Sequence, residues 1–207
     1  SFVPLSTDLY LPALAEMTKF FAVPEIVMNL TLILFFVFYS IATLFWGPLS
    51  DRYGRRPILL IGLTLYMLAS ILCGIAVNAY EIIIFRVLQA IGGGVATTVA
   101  TAVIKDVFVG RKQETTLAIV QSMVVISPAI APVIGSLLLT FISWRGIFFA
   151  QALLGLSVIY GSIIFKETHL AETGNTSILK SFGRLGSLLL NPGFSALLIT
   201  FSLMSIV

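Results

Sequence analysis

Long apolar runs separated by short polar connections dominate the chain, and their length sets the first expectation. A helix needs roughly 20 apolar residues to cross the hydrocarbon of a bilayer. Runs of that length lie at about 26–45, 58–77, 80–104, 115–142 and 146–165. Partial runs flank them. The stretch 1–14 is too short to cross unless part of a helix precedes it, and 194–207 stops before it crosses comfortably. The pattern predicts an all-α membrane protein: a six-helix transmembrane bundle over 1–165 with its first span truncated, a linker over 166–190, and the start of a seventh span over 191–207.

Composition agrees with that solvent. Of 207 residues, 58% are hydrophobic and only 10% charged, whereas a water-soluble domain carries about 25% charged residues to solvate its surface. The net charge of +3 does not point to nucleic acid, because the basic residues are scattered between apolar runs and form no stripe. Cys73 is the single cysteine, which excludes an internal disulfide or a CxxC metal framework. No metal or cofactor is expected. The single histidine, His169, sits in the polar linker away from any nucleophile, so the pattern argues against an enzyme.

The basic residues set an orientation. If the second span runs inward, Arg52, Arg55, Arg56, Lys105, Arg111, Lys112, Lys166, Lys180 and Arg184 share one side, against Lys19 and Arg145 on the other. Lys and Arg accumulate in cytoplasmic loops, which places connections 2–3, 4–5 and 6–7 in the cytoplasm. The connections at 78–80 and 143–145 are very short, so their flanking helices are antiparallel neighbours.

Between spans two and three stands GPLSDRYGRRP, residues 47–57, read as a tight turn. Gly47 would let helices approach, and Gly54 would permit a positive φ. Arg52, Arg55 and Arg56 would stay at the anionic leaflet. A positive-inside anchor explains the arginines but not the Gly/Asp/Gly spacing, nor Asp51 beside three cations. This string resembles the loop 2–3 signature of the major facilitator superfamily, G-x-L-a-D-r-x-G-r-k. The segment Arg86-Val87-Leu88-Gln89-Ala90-Ile91-Gly92 is similar to the family's fourth-span pattern R-x-x-q-G-x-g, with Ala90 in place of glycine. The segment 127–136 is similar to the fifth-span antiporter motif; it keeps Pro132 and Gly135 and has Ala131 and Ser136 where glycines are usual. The opening STDLYLP (6–12) together with GPLSDRYGRRP most resembles the twelve-span drug/proton antiporters of the bicyclomycin and chloramphenicol resistance subfamily.

That resemblance covers nearly the whole chain and implies the N-terminal half of a facilitator, two inverted three-helix repeats. It implies proton-coupled efflux of small lipophilic or cationic drugs across a bacterial cytoplasmic membrane, with protons, drug, the lipid bilayer and a missing C-terminal half as partners. The alternative is a symporter or exporter of a sugar or metabolite within the same superfamily.

Residues that are costly at membrane depth are the candidates for function. Asp8 is either a proton and drug site or a helix cap near the interface beside Pro12. Arg86 either snorkels to the surface or, as the resemblance implies, faces the cavity, where it stabilises ionised Asp8 or bonds Gln89. Tyr39, Gln89, Gln121 and Met123 are expected substrate contacts. Gly47, Asp51, Arg52, Gly54, Arg55, Arg56 and Asp106 are expected to form a conformational latch, with Arg55 reaching Asp106. Gly92, Gly93 and Gly94 serve as a hinge or, as small residues more often do, in close helix packing. Pro128 and Pro132 would bend span five. Phe35, Phe36, Phe38, Phe148 and Phe149 are expected to face lipid or pack.

Overall fold

The computed structural model describes residues 2–164, with side-chain surroundings from Thr7 onward. The expected linker and seventh span, with Lys166, His169, Lys180 and Arg184, lie outside the described residues. Six helices follow in order: α1 (Phe2–Phe21), α2 (Glu25–Tyr53), α3 (Arg55–Ile75), α4 (Ala79–Val107), α5 (Arg111–Phe141) and α6 (Trp144–Ile164). By length and composition α2 to α6 can each cross a membrane. The helix α1 continues well past residue 14, through Glu16 and Lys19 to Phe21. Those charges end the apolar run but not the helix, because Glu and Lys are good helix formers.

Local chemistry accounts for the breaks. Most of the string 47–57 is helix rather than turn, since α2 runs to Tyr53 and α3 resumes at Arg55. The reversal is concentrated at Gly54, whose φ of 95° is strained for any residue with a Cβ. The helix α4 starts at an Asn78 cap whose side chain accepts from the Glu81 N–H at 2.9 Å, satisfying one free N–H of the first turn, while the Glu81 carboxylate accepts from the Val77 N–H ahead of the helix at 2.9 Å. Pro12, Pro48, Pro128 and Pro132 all lie inside helices. Neighbouring helices and polar side chains make that tolerable in membrane bundles.

The closest pairings are α1 with α5, α2 with α4, and α3 with both α4 and α6. Exchanging α1–α3 for α4–α6 turns the α1–α5 pairing into α4–α2 and returns α3–α6 to itself. Those two pairings fit two three-helix repeats, the second inverted because each has an odd number of spans, whereas α3–α4 has no equally close counterpart in α6–α1. Lipid supplies no hydrophobic drive between helices, so contact depends on close approach. At the α3–α4 crossing a Cβ on Gly92 would lie 2.5 Å from the Tyr66 backbone nitrogen and 2.7 Å from the Gly62 carbonyl oxygen. Gly94 lies against Ala42 and Thr43 of α2. The glycine run is therefore used in packing. Gly47 behaves differently: an added Cβ there would sit 3.6 Å from the Thr98 methyl, an ordinary contact, so the approach of α2 to α4 does not depend on that glycine.

The aromatic residues divide by environment. Phe35 and Phe148 are fully buried, whereas Phe36 and Phe149 project outward. At the end of the bundle away from Gly54, Phe20 and Phe21 of α1 pack on Trp144 of α6. The Arg145 guanidinium lies over Trp144 and Phe20 and donates to the Ala76 carbonyl.

Candidate functional site

Arg86 occupies the centre of the bundle. It lies seven residues into α4, about 10 Å along the axis at 1.5 Å per residue, and is fully buried, so its side chain does not snorkel to the surface. Its guanidinium carbon stands 4.0 Å from the Tyr10 ring centroid and 4.5 Å from that of Phe35. Nη1 donates to Gln89 Oε1 at 2.8 Å. The Gln89 amide donates in turn to Ser70 Oγ at 2.7 Å and to Gln151 Oε1 at 2.8 Å. A single charged group thus joins α1, α2, α3, α4 and α6 through two aromatic faces and a chain of neutral polar groups. Its Nε and Nη2 are buried without a hydrogen-bond partner among the described residues.

Of the two arrangements expected for Arg86, the bond to Gln89 is formed and an ion pair with Asp8 is not found among the described residues. Tyr10, two residues beyond Asp8, points about 200° away around the helix, and it is Tyr10 that meets the guanidinium. Thr31 Oγ1 donates its one proton to the Met28 carbonyl, so the Tyr10 hydroxyl is the donor in its 2.7 Å bond to Thr31. Asp8 itself is half-buried on the side of α1 shared by the exposed Leu11 and Ala15. Its Oδ2 has no hydrogen-bond partner among the described residues.

Next to Asp8, α1 meets α5. A Cβ on Gly135 would lie 2.8 Å from the Leu9 carbonyl oxygen and 3.3 Å from Pro12 Cγ. Ser127, Ala131 and Gly135 are the buried positions of α5, one seam at a spacing of four, while Pro132 is half-buried beside it. The fifth-span motif is thus the contact surface for the helix that carries Asp8.

Of the expected substrate contacts, Gln89 is fully buried towards α3 and α6, where it holds Arg86 rather than presenting a surface. Gln121 and Met123 are exposed on α5. Tyr39 is half-buried; its ring is parallel to that of Phe35, with centroids 6.3 Å apart, and its hydroxyl donates to Thr97 Oγ1 at 2.9 Å. From Thr97 a groove of about 520 Å³ continues along α2 and α4, lined by Thr43, Thr98, Thr101, Lys105, Arg55 and Asp106.

The groove ends at the second charged cluster. Arg55 is 6% exposed. Its Nη1 pairs with Asp51 of α2 across the Gly54 break and donates to Ser50 Oγ at 2.6 Å, while Nε donates to Asp106 Oδ2 at 2.9 Å. The three residues Asp51, Arg55 and Asp106 are brought together as their sequence context suggested. Arg56 donates to the Ile163 carbonyl at the end of α6. Arg52 is exposed over the Tyr53 ring and does not enter the cluster.

Sequence reasoning gave no role to Tyr10, Ser70 and Gln151, and named Phe35 only as a lipid-facing or packing residue. Ser70 and Gln151 carried a usable signal as polar side chains deep in apolar runs. Tyr10 and Phe35 carried none, since aromatic residues are ordinary in such runs.

Comparison with known proteins agrees with this geometry. The chain is 30% identical over 170 residues to the multidrug resistance protein MdtL of Escherichia coli O9:H4 (strain HS), and equally to that of Shigella flexneri, covering 82% of this chain and 44% of each relative. It thus spans less than half the length of the curated relatives it matches. Among solved structures, the human organic anion transporter MFSD10 (TETRAN) superposes with a TM-score of 0.61 at 17% identity, over 86% of this chain and 49% of that one, a likeness of fold. The family model of the Major Facilitator Superfamily matches residues 1–207. The all-helical bundle, the glycine-bounded Asp51–Arg55–Asp106 cluster and that match over the full chain place this protein in the Major Facilitator Superfamily.

Proposed function

We propose that this chain is the N-terminal half of a proton-coupled exporter of small lipophilic or cationic compounds, working by alternating access in a bacterial cytoplasmic membrane. The observation that carries the reading is Asp8. It is a carboxylate on a bundle helix, half-buried, with one oxygen lacking a partner among the described residues, on the side of α1 not occupied by the Arg86 cluster. A carboxylate so placed can accept a proton or a cationic drug, one excluding the other. The relatives named for multidrug resistance support export as the direction.

In this reading the ends bearing Arg55 and Lys105 face the cytoplasm, as the excess of Lys and Arg there suggests. Drug enters along the threonine-lined groove and past Tyr39, and apolar contacts such as Met123, with Gln121, give broad selectivity. Arg86 biases the charge state of the centre. The cluster of Asp51, Arg55 and Asp106 latches one conformation, and the half that completes the relatives' length supplies the opposing wall.

The test uses the full-length protein in everted vesicles under an imposed pH gradient, comparing wild type with Asp8→Asn. Drug-induced proton release is expected in wild type and absent in the variant. Equal release by both would move the proton site away from Asp8. If no lipophilic drug elicits a response from wild type, the efflux reading gives way to a sugar or metabolite carrier.

A further inference from the structure

Arg86 is buried with no carboxylate partner among the described residues. Arginine keeps its charge in proteins, and a buried charge is ordinarily paired. Two rings flank the guanidinium, Tyr10 at 4.0 Å and Phe35 at 4.5 Å to their centroids, both close enough for a cation–π attraction. We propose that Tyr10 is the positioning residue for Arg86, its ring together with that of Phe35 standing in for the carboxylate counter-ion the guanidinium lacks.

The two rings come from helices with different attachments. Phe35 lies on α2, which packs closely along α4, the helix of Arg86. Gln89 is on α4 itself. Both move with Arg86. Tyr10 lies on α1, whose closest packing is with α5. One face of the clamp is therefore carried by the helix that also carries Asp8. The Tyr10 ring is held by neighbouring helices, its hydroxyl on Thr31 of α2 and its ring on Phe148 of α6 at 5.7 Å between centroids, so the Thr31 bond is the tether that a shift of α1 has to strain. Arg86 Nε and Nη2 bond to nothing described, so the rings and the Gln89 bond are what hold the group.

This arrangement lets Asp8 and Arg86 communicate without touching. A proton or drug arriving at Asp8 acts on α1 from its outer side. Any resulting shift of α1 moves the Tyr10 ring on or off the guanidinium and so changes how strongly Arg86 holds its place and its field. The inference rests on the proton-coupled reading and adds the residue that links its two charged groups.

The experiment uses full-length protein carrying Tyr10→Leu, which removes the ring, and Tyr10→Phe, which keeps the ring and removes only the bond to Thr31. The readout is protons released per drug bound. A merely structural loss lowers both quantities together and leaves their ratio unchanged. Loss of the clamp is expected to lower the ratio about threefold or more in Tyr10→Leu, because the cation–π contact goes with the ring, with Tyr10→Phe near wild type. A wild-type ratio in Tyr10→Leu would overturn the proposal, as would a Tyr10→Phe variant as impaired as Tyr10→Leu. A thermal unfolding cycle with Tyr10→Leu, Arg86→Met and the double variant stands independently of transport. The double variant is expected to lose less Tm than the sum of the single losses, and additive losses would show that no clamp exists. If wild type releases no protons on adding drug while the cycle is non-additive, the antiport reading fails and the clamp itself stands. In that case Tyr10 positions Arg86 without serving proton coupling.

Discussion

The bundle buries two arginines almost equally and holds them by opposite means. Arg55, at the end of α2 and α4, has two carboxylates and a serine. Arg86, in the middle, has two aromatic faces and a glutamine. Their distance from water explains the contrast. Asp51 is largely exposed, its side chain at 58%, so its carboxylate stays hydrated while it pairs, and the pair can part into solvent at little cost. A carboxylate brought to Arg86 would lose its water entirely, and that desolvation can exceed the Coulombic gain. Aromatic faces and neutral amides cost far less to bury. A hydrated ion-pair cluster thus stands at the aqueous end, and one without a carboxylate at depth.

The sharpest way to break this comparison is to remove the amide under Arg86. Gln89→Leu strands Nη1 of a buried charge and takes a partner from Ser70 and Gln151. It is expected to cost about 3–5 kcal/mol, the range for a broken buried charge network, read as a marked fall in Tm of the purified full-length protein. Asp106→Asn should cost less in stability, about 1–2 kcal/mol, because a hydrogen bond to a charged group is lost where water can replace it. Its larger effect is expected on conformation, with Thr101→Cys in the adjacent groove labelled faster by a water-soluble maleimide than in the same cysteine variant with Asp106 intact. No change in labelling would remove the latch role.

Tyr39→Phe lies between the two clusters and keeps its stacking on Phe35. Losing the bond to Thr97 is expected to cost about 0.5–1 kcal/mol, with export of bulky drugs altered more than stability, as a transport assay over a drug series would show. The smallest effect is expected at Gly47→Ala, within about 0.5 kcal/mol, because the added methyl meets Thr98 at ordinary contact distance. A large Tm loss there would mean that the aqueous end is as tightly packed as the α3–α4 crossing.

Much of this was legible along the chain, and the legible parts share a cause. Spans α2 to α6 follow from apolar runs, since crossing a bilayer is a demand on local composition. The charged string around Asp51 and Arg55 marks the junction of two spans, and Gly54 follows from the need for a positive φ there. Asp106 was expected within reach of Arg55 because it closes α4 on the same side, and the two are in contact. By contrast, the string around Asp51 reads as a loop by its polar residues and is helix, because nothing but Gly54 in it forbids helical angles strongly enough.

The apolar pattern by itself determined that this is a set of membrane-length helices and which residues are charged at depth, and the resemblance of the motifs pointed to the family. Tertiary structure alone decided how each helix is turned about its axis. The side chains of residues 10, 35, 70, 89 and 151 come from five helices, and no local pattern states that they meet. An apolar helix in lipid has apolar residues on every side, so hydrophobic periodicity does not specify which face turns inward. Close contacts specify it instead: Gly92 on Tyr66, Gly135 on Leu9. Those contacts turn Tyr10 rather than Asp8 towards Arg86, and with that rotation the separation of the two charged groups is set.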